Sequence, residues 1–155
     1  MTVDVKAKLS ELGLELPVAS IPLAAYIPAV RTGNLVFTAG QLPLVDGVIP
    51  FVGKVDGGVT PDQAKEMAQI CGLNAIAALA LVADPNNIER VVQVRGFVNG
   101  VTGFVGHPGV VNGVSELFIK IWGEEKGKHA RTAIGVAELP LNAPVEVEVI
   151  FELKA

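Results

Sequence analysis

The segment from Thr60 to Val82 predicts a long amphipathic helix, and such a helix needs a broad apolar surface to pack against. Thr60 suits the N-cap, Pro61 the first helical position, and Gln63 completes a capping box. Small and apolar residues then recur with helical spacing at Ala64, Met67, Ala68, Cys71, Ala75, Ala78, Leu79 and Val82. Because Cys71 lies within this stripe, we interpret it as a core residue and not as a reactive thiol.

The remaining patterns alternate between strands and helices, without an internal repeat or a linker. A short helix is expected at Val5–Leu12 and a second long helix from Val110 to Trp122, after a glycine-rich loop that contains His107. Strands are predicted at Ile27–Arg31, Leu35–Gly40, Val48–Val52, Val91–Asn99, Ala130–Val136 and Val145–Leu153. This order predicts one α+β domain over residues 1–155, with the two long helices packed on one face of a mixed sheet.

The last two strands carry the most suggestive polar residues. Alternation puts Arg131 on the same face as Ala133 and Gly135, and we expect Glu146 on the neighbouring strand. A guanidinium above small residues can hold a carboxylate through two parallel hydrogen bonds. The alternative is that Arg131 is a solvated or ion-paired surface group, which is the more common fate of a lone strand arginine.

The composition predicts an oligomer. Hydrophobic residues make up 50% of the chain and charged residues only 18%. The longest apolar run, Ala75–Ala83, is too short to span a membrane. A buried interface between copies of the chain is therefore the expected destination of the apolar surplus. The N-terminus lacks a signal-peptide core, and Cys71 is the single cysteine, so a reducing, cytoplasmic location is expected.

Several functional classes lack support in the sequence. His107 and His129 do not have zinc-ligand spacing, and no phosphate-binding glycine motif is present, so we expect no metal and no organic cofactor. A nucleophile elbow at Ser115 would require glycine two residues later, where this chain has Leu117. The net charge of −4 disfavours nucleic acid as a partner. A basic cluster of Lys126, Lys128, His129 and Arg131 could still hold one small anion.

Four pieces of the chain, taken in order, resemble the YjgF/RidA family of reactive-intermediate deaminases. They are RTGNLVFTAGQLP at residues 31–43, the long capped helix, Ala130-Arg131-Thr132, and Glu138-Leu139-Pro140 leading into Val145–Glu148. The resemblance implies a chorismate-mutase-like fold and a homotrimer with a ligand site at each subunit interface. Residues 1–20, read as a helical extension, and a longer segment at 43–58 mark a divergent branch.

The resemblance also implies roles for individual residues. Arg131 corresponds to the arginine that holds the substrate carboxylate, and Glu146 to the glutamate that orients water or relays a proton. Tyr26 and Asn112 correspond to pocket residues, and Gly40 to a glycine whose backbone contacts the ligand. The chain departs from the common pattern at Ala39, where many members have serine, and at Ala133, where many have cysteine.

The activity implied is the hydrolysis of 2-imino or enamine acids, such as 2-aminoacrylate, to 2-keto acids and ammonia. The substrate would be a small carboxylate-bearing molecule. The alternative is a non-catalytic, carboxylate-binding or chaperone-like trimer, which Ala39 and Ala133 favour. An RNA-binding protein or ribonuclease is a third possibility, and the acidic balance, lone tyrosine and lone tryptophan disfavour it.

Overall fold

A computed structural model describes residues 3–22 and 24–155 of the chain, so the first two residues of the predicted N-terminal extension lie outside it. The helices of the described residues are Val5–Glu11 (α1), Pro61–Ala80 (α2) and His107–Gly127 (α3). The strands are Ala29–Thr32 (β1), Leu35–Thr38 (β2), Ile88–Val98 (β3), Ala130–Gly135 (β4) and Val145–Leu153 (β5). Single 3-10 turns lie at Pro85–Asn87 and Pro140–Asn142.

The described strands form one mixed sheet in the order β1-β2-β5-β3-β4. All neighbours are antiparallel except β3 and β4, which are parallel and are connected through α3. Along β5, buried residues alternate strictly with half-buried ones. The buried row lies beneath α2, and α3 packs beside α2 over β3. The predicted α+β arrangement, with both long helices on one face of the sheet, is confirmed.

Helix α2 follows its sequence pattern closely. The Thr60 hydroxyl accepts the Gln63 N–H at 3.1 Å, and Gln63 Oε1 accepts the Thr60 N–H at 2.9 Å, which completes the capping box. The Cys71 side chain is fully buried, with Sγ 3.7 Å from the Val145 carbonyl oxygen. Burial raises the pKa of the Cys71 thiol well above its usual range, which agrees with a core role. The helix ends at Ala80, just before the predicted end at Val82.

Helix α3 is longer than its sequence pattern indicated. It begins at His107, because Pro108 is compatible with the first turn of a helix although it resembles a loop residue in the sequence. It continues through a non-helical residue, Gly123, to Gly127. His107 therefore opens the helix and does not lie in a loop.

Two further strand predictions need correction. No strand forms at Val48–Val52. Instead, Val45 and Val48 form an isolated bridge around Asp46 and Gly47, both of which have positive φ. The strand predicted at Leu35–Gly40 ends at Thr38, before the pairing with β5 becomes irregular.

The prediction that Glu146 lies on the strand next to Arg131 is wrong. Strand β3 lies between β4 and β5, since β4 pairs with β3 in parallel and β5 pairs with β3 on its other side. The connection from β4 to β5 is compatible in length with a hairpin, so the sequence alone did not exclude one. The α3 crossover decides the pairing, because a helical crossover lets β4 run parallel to β3.

The face of the sheet opposite the helices bears exposed apolar side chains. Val30 is 50% exposed, Phe37 39% and Ile134 45%, each on a different strand. An ion pair between Arg95 and Glu148, at 2.8 Å, lies on the same face. We call this surface the open face. Its apolar residues are compatible with the expected oligomer, and both the association and its size stay predictions.

Within the described parts of the chain, no helix has both the length and the apolar character required to cross a lipid bilayer.

The close contact between α2 and α3 makes Gly113 essential for packing. A methyl group at residue 113 would lie 2.0 Å from the Lys65 carbonyl oxygen on α2, whereas a methyl group at residue 109 would meet no atom within 4 Å. We expect Gly113→Ala to lower the free energy of unfolding by about 1–3 kcal/mol or more, because backbone must move. The matched variant in the same helix, Gly109→Ala, should be neutral or stabilising by up to about 1 kcal/mol. Urea denaturation measures both, and equal effects would contradict this packing.

Candidate functional site

Arg131 on β4 extends toward α3 and is held there by two side chains. Its Nη1 donates to Asn112 Oδ1 at 2.7 Å and to Ser115 Oγ at 3.3 Å. Because Nη1 carries two hydrogens, these two acceptors account for both of them. Within the described part of the chain, Arg131 forms no ion pair, and Nε and Nη2 donate to no protein atom. This free edge of the guanidinium has the geometry for a bidentate bond to a carboxylate.

Ser115 is in turn hydrogen-bonded to His129. Ser115 Oγ lies 2.9 Å from His129 Nε2, and His129 Nδ1 lies 2.7 Å from the Gly127 carbonyl oxygen. Since a carbonyl oxygen can only accept, Nδ1 must carry the hydrogen, and the neutral ring then accepts the Ser115 hydroxyl at Nε2. Burial lowers the pKa of His129, the bond to Gly127 opposes this effect, and the charge of Arg131 adds to the lowering.

The end of α3 places His129 beneath the helix. Gly127 is packed so tightly that a methyl group there would lie 2.6 Å from the Phe118 carbonyl oxygen. The chain can therefore turn sharply from α3 into β4 only with glycine at this position. His129 then packs edge-on against the Phe118 ring, at 6.1 Å between ring centroids.

The expected basic cluster does not converge on one point. Lys126 forms an ion pair with Glu89 at 3.1 Å, and Lys128 pairs with Glu124 on α3. His129 is engaged by Ser115. Among Lys126, Lys128 and Arg131, only Arg131 forms no ion pair within the described part of the chain, so we expect an anion site here to depend on that side chain.

Glu146 lies at a separate location, on the open face near the end of β2. Its Oε1 would lie 1.9 Å from a methyl group at residue 40, so the side chain occupies space that only a glycine leaves free. Gly40 thus permits a close approach, as expected from the sequence, but within one protomer the approaching group is Glu146. Burial raises the pKa of the Glu146 carboxyl, and the nearby negative charge of Glu148 raises it further.

The other residues predicted for the pocket are Ala39, Tyr26 and Ala133. Ala39 directly follows β2; its N–H donates to the Pro28 carbonyl at 2.8 Å, and its carbonyl oxygen accepts the Gln41 side-chain amide at 3.1 Å. Tyr26 precedes β1 and is 55% exposed. Ala133 follows Arg131 at the spacing that returns to the same face of β4.

The structure therefore separates the predicted residues into two half-sites. The first half-site comprises Arg131, Asn112 and Ala133 on the helix side of the sheet. The second comprises Glu146, Gly40 and Ala39 near the open face. Val145, the residue before Glu146, pairs with Val98 and is buried beneath the helices, so alternation directs Glu146 away from them. Within one protomer the two half-sites cannot contact one ligand.

A cavity of about 660 Å³ lies beyond the C-terminal end of β4. Its lining includes Lys54, Thr102, His107, Gly135 and Glu138, but neither Arg131 nor Glu146. Lys54 donates there to Asn99 Oδ1 at 2.7 Å and to the Ala137 carbonyl, so its ammonium group is already engaged by the protein. We place the candidate site at the half-sites, where unengaged donors and a carboxyl of raised pKa occur.

Sequence reasoning missed the contribution of Ser115 and His129. Ser115 was considered only as a nucleophile, and His129 only as a zinc ligand or as part of a basic cluster. Their spacing held the information: Ser115 is one helical turn after Asn112, and His129 is two residues before Arg131 on an extended segment. Residues at these spacings share a face, so all four could have been placed together once α3 and β4 were paired.

A protein-family model described as "YjgF/chorismate_mutase-like, putative endoribonuclease" matches residues 6–153, nearly the whole chain. The chain belongs to the YjgF/RidA family. The match begins inside α1 and ends at the last residue of β5. The chorismate-mutase-like fold that the resemblance implied is thereby confirmed.

Three relatives illustrate the range of the family. Protein TCP17 of Trypanosoma cruzi is 37% identical over 150 residues, which cover 96% of this chain and 94% of the relative. The crystal structure of Atu1372 from Agrobacterium tumefaciens, described as having unknown function, is 40% identical with a TM-score of 0.88 and covers 97% of this chain and 92% of that one. A 2-iminobutanoate/2-iminopropanoate deaminase of Dermatophagoides farinae is 29% identical over 141 residues, covering 91% and 95% of the two chains.

The raised pKa of Glu146 gives a pH-dependent stability prediction. A carboxyl whose pKa is higher in the folded state than in the unfolded state binds its proton more tightly when folded. The free energy of unfolding therefore falls as the pH rises from the unfolded-state pKa through the folded-state pKa. We expect Glu146→Gln to be more stable than the wild type at pH 7–8, with the difference disappearing below about pH 4. Urea denaturation across this range measures the effect, and Glu66→Gln on the exposed face of α2 is the control. A variant that is less stable at pH 7 would show that the charged carboxylate is stabilised by its surroundings.

Proposed function

We propose that this protein hydrolyses small 2-imino or enamine acids, such as 2-aminoacrylate, to 2-keto acids and ammonia. The observation that carries the proposal is the Arg131 guanidinium, which Asn112 and Ser115 hold through Nη1 while the Nε and Nη2 edge stays free. Such an edge binds a carboxylate bidentately and fixes the carbon next to it. The named deaminase among the relatives acts on 2-imino acids according to its name, which supports the same substrate class.

In the proposed reaction, an enamine such as 2-aminoacrylate first tautomerises to the imine, with a proton moving from nitrogen to C3. Arg131 binds the substrate carboxylate and presents C2 of the imine to a water molecule. Attack of the water oxygen on C2 forms the C–O bond, and the C=N electron pair takes up a proton to become an amine. Collapse of this carbinolamine breaks the C–N bond, releases ammonia and leaves the 2-keto acid. The imine carbon is already electrophilic, so no further activating group enters the scheme. Positioning of this kind contributes about 7 kcal/mol or more in favourable cases.

Glu146 is the proposed proton-transfer group. Its carboxylate accepts a proton from the attacking water and returns it to the departing nitrogen. A pKa raised by burial suits this role, because a base is most effective when its pKa approaches the working pH. General acid–base catalysis of this type typically contributes a factor of about 10²–10⁴.

We further propose that each active site combines two protomers of a homotrimer. Arg131 and Glu146 lie on different sides of the sheet in one protomer, so both can act on one substrate only if they come from different copies. The exposed apolar residues Val30, Phe37 and Ile134 on the open face support association. Tyr26, exposed in the single chain, would become a wall of this shared pocket.

A second candidate function is carboxylate binding without turnover. Ala39 and Ala133 place methyl groups where a hydroxyl or thiol would offer a polar contact, and this favours a binder over an enzyme. Stabilisation by 2-keto acids together with no ammonia release from any imino acid would support the binder. Ammonia release that depends on Arg131 would remove the need for it.

The activity prediction concerns Arg131. We expect Arg131→Ala to lower kcat/KM for enzymatically generated 2-aminoacrylate by about 100-fold or more, because a charge-assisted bidentate bond is lost. Arg131→Lys should recover only part of this, since an ammonium group cannot form two parallel bonds. Loss of the 2-aminoacrylate absorbance and release of ammonia both report the rate.

The matched control for this experiment is Arg90→Ala. Arg90 is 54% exposed on β3 and lies 3.8 Å from Glu152, away from the candidate site. The Arg90→Ala variant should retain wild-type activity. Activity that is equal in Arg131→Ala and the wild type would exclude Arg131 as the carboxylate-binding residue.

Subunit mixing tests the shared site directly. Arg131→Ala and Glu146→Gln homo-oligomers should each be nearly inactive. In a cyclic assembly with sites between neighbours, unfolding and refolding an equal mixture restores a complete pair at roughly one quarter of the interfaces. We therefore expect up to about a quarter of wild-type activity from the mixture. No recovery, in mixed oligomers verified by mass spectrometry, would contradict a site shared in this way.

A further inference from the structure

We propose that Ser115 and His129 are positioning residues of the carboxylate site. In its neutral form with the hydrogen on Nδ1, His129 orients the Ser115 hydroxyl, and this hydroxyl with Asn112 holds Arg131 so that its free edge faces the ligand. The inference rests on the proposed carboxylate-binding role of Arg131. It adds two residues, a required tautomer and a direction of pH dependence to that role.

The geometry determines which atom donates in each hydrogen bond of the series that links Gly127, His129, Ser115 and Arg131. The Gly127 carbonyl accepts from His129 Nδ1 at 2.7 Å, which leaves Nε2 as an acceptor. Nε2 accepts the Ser115 hydroxyl at 2.9 Å, so the lone pairs of Ser115 Oγ face Arg131. Oγ then accepts one Nη1 hydrogen at 3.3 Å, while Asn112 Oδ1 accepts the other at 2.7 Å. Two acceptors on one nitrogen prevent rotation of the guanidinium about its Cζ–Nη1 bond and fix its plane.

Regular structure and close packing hold the residues of this hydrogen-bond series in place. Asn112 and Ser115 lie one turn apart on α3, and His129 packs against the buried Phe118 ring. Arg131 itself is exposed and would otherwise sample many rotamers. Holding it before the ligand arrives reduces the entropy lost on binding, which is the usual benefit of preorganisation.

Protonation of His129 would reverse the direction of its hydrogen bond with Ser115. Nε2 would become a donor, Ser115 Oγ would receive hydrogens from both sides, and two cations would face each other across one oxygen. The neighbours of His129 from α3, Ser115 and Phe118, carry no charge, and the charged group that bears on its pKa is Arg131. Carboxylate affinity should therefore decrease as the pH falls through the lowered pKa of His129. A histidine acting only as a nearby positive charge would have the opposite effect and strengthen anion binding at low pH.

The binding test uses pyruvate, a stable 2-keto acid, and isothermal titration calorimetry between pH 5 and 8. Ser115→Ala should weaken binding about tenfold or more at pH 7.5, because a hydrogen bond to a charged group is lost. Ser115→Thr, which keeps the hydroxyl, should restore most of the affinity. His129→Gln can still accept from Ser115 through its amide oxygen, so we expect it to bind pyruvate while losing the pH dependence. Pyruvate stays ionised throughout this range, so it does not contribute to the profile.

Ser10→Ala on α1 is the matched control for a serine substitution, since Ser10 is exposed and distant in sequence from the site. Urea denaturation verifies that each variant is folded. Unchanged pyruvate affinity in Ser115→Ala would overturn the inference. Tighter pyruvate binding at low pH by Glu146→Gln protein, which lacks the other titratable group of the proposed site, would do so as well.

A spectroscopic measurement separates failure of this inference from failure of the proposed function. Long-range ¹H–¹⁵N NMR should show neutral His129 protonated at Nδ1, and ¹⁵N spectra should show slow rotation of Arg131 Nη1 that becomes fast in Ser115→Ala. A hydrogen on Nε2, or equal rotation rates, overturns the inference whether or not a ligand binds. If wild-type protein binds no 2-keto acid while these signatures are present, the proposed function fails and the positioning of Arg131 by Ser115 and His129 stands.

Discussion

The packing of α2 and α3 against a single face of the sheet is the constraint on which the rest of the structure depends. It requires close approach of two helix backbones at Gly113 and a strictly alternating central strand, β5. Once both helices occupy one face, the other face has no helical cover and bears Val30, Phe37 and Ile134. The same division directs Arg131 toward α3 and Glu146 away from the helices, because neighbouring strand residues point to opposite faces.

That division has a chemical consequence. A carboxylate-binding arginine and a carboxyl of raised pKa would interfere with each other if they were in contact, because an adjacent guanidinium lowers the pKa of a carboxyl. Their separation within one protomer preserves both properties: Arg131 keeps a free edge, and Glu146 keeps a raised pKa.

Ser115 and His129 change how the arginine is understood. A lone exposed arginine on an edge strand is most often a solvated group, and Arg131 is exposed. What distinguishes it is the pair of acceptors on Nη1 and the histidine behind them, which depend on the sharp turn at Gly127. The guanidinium is therefore positioned from its helix side, by Asn112, Ser115 and His129.

The sequence alone was sufficient for the elements whose information is local. The capping box of α2, its buried stripe and the alternation of β5 appeared as predicted, because caps and periodicity act over a few residues. Family membership could also be inferred, since its motifs are contiguous. The sequence could not place β3 between β4 and β5, start α3 at His107, or join Ser115 and His129 to Arg131. Strand order and contacts between distant segments depend on how the helices and the sheet pack together to bury their apolar surfaces. These contacts join residues far apart in the sequence, so only the tertiary structure shows them.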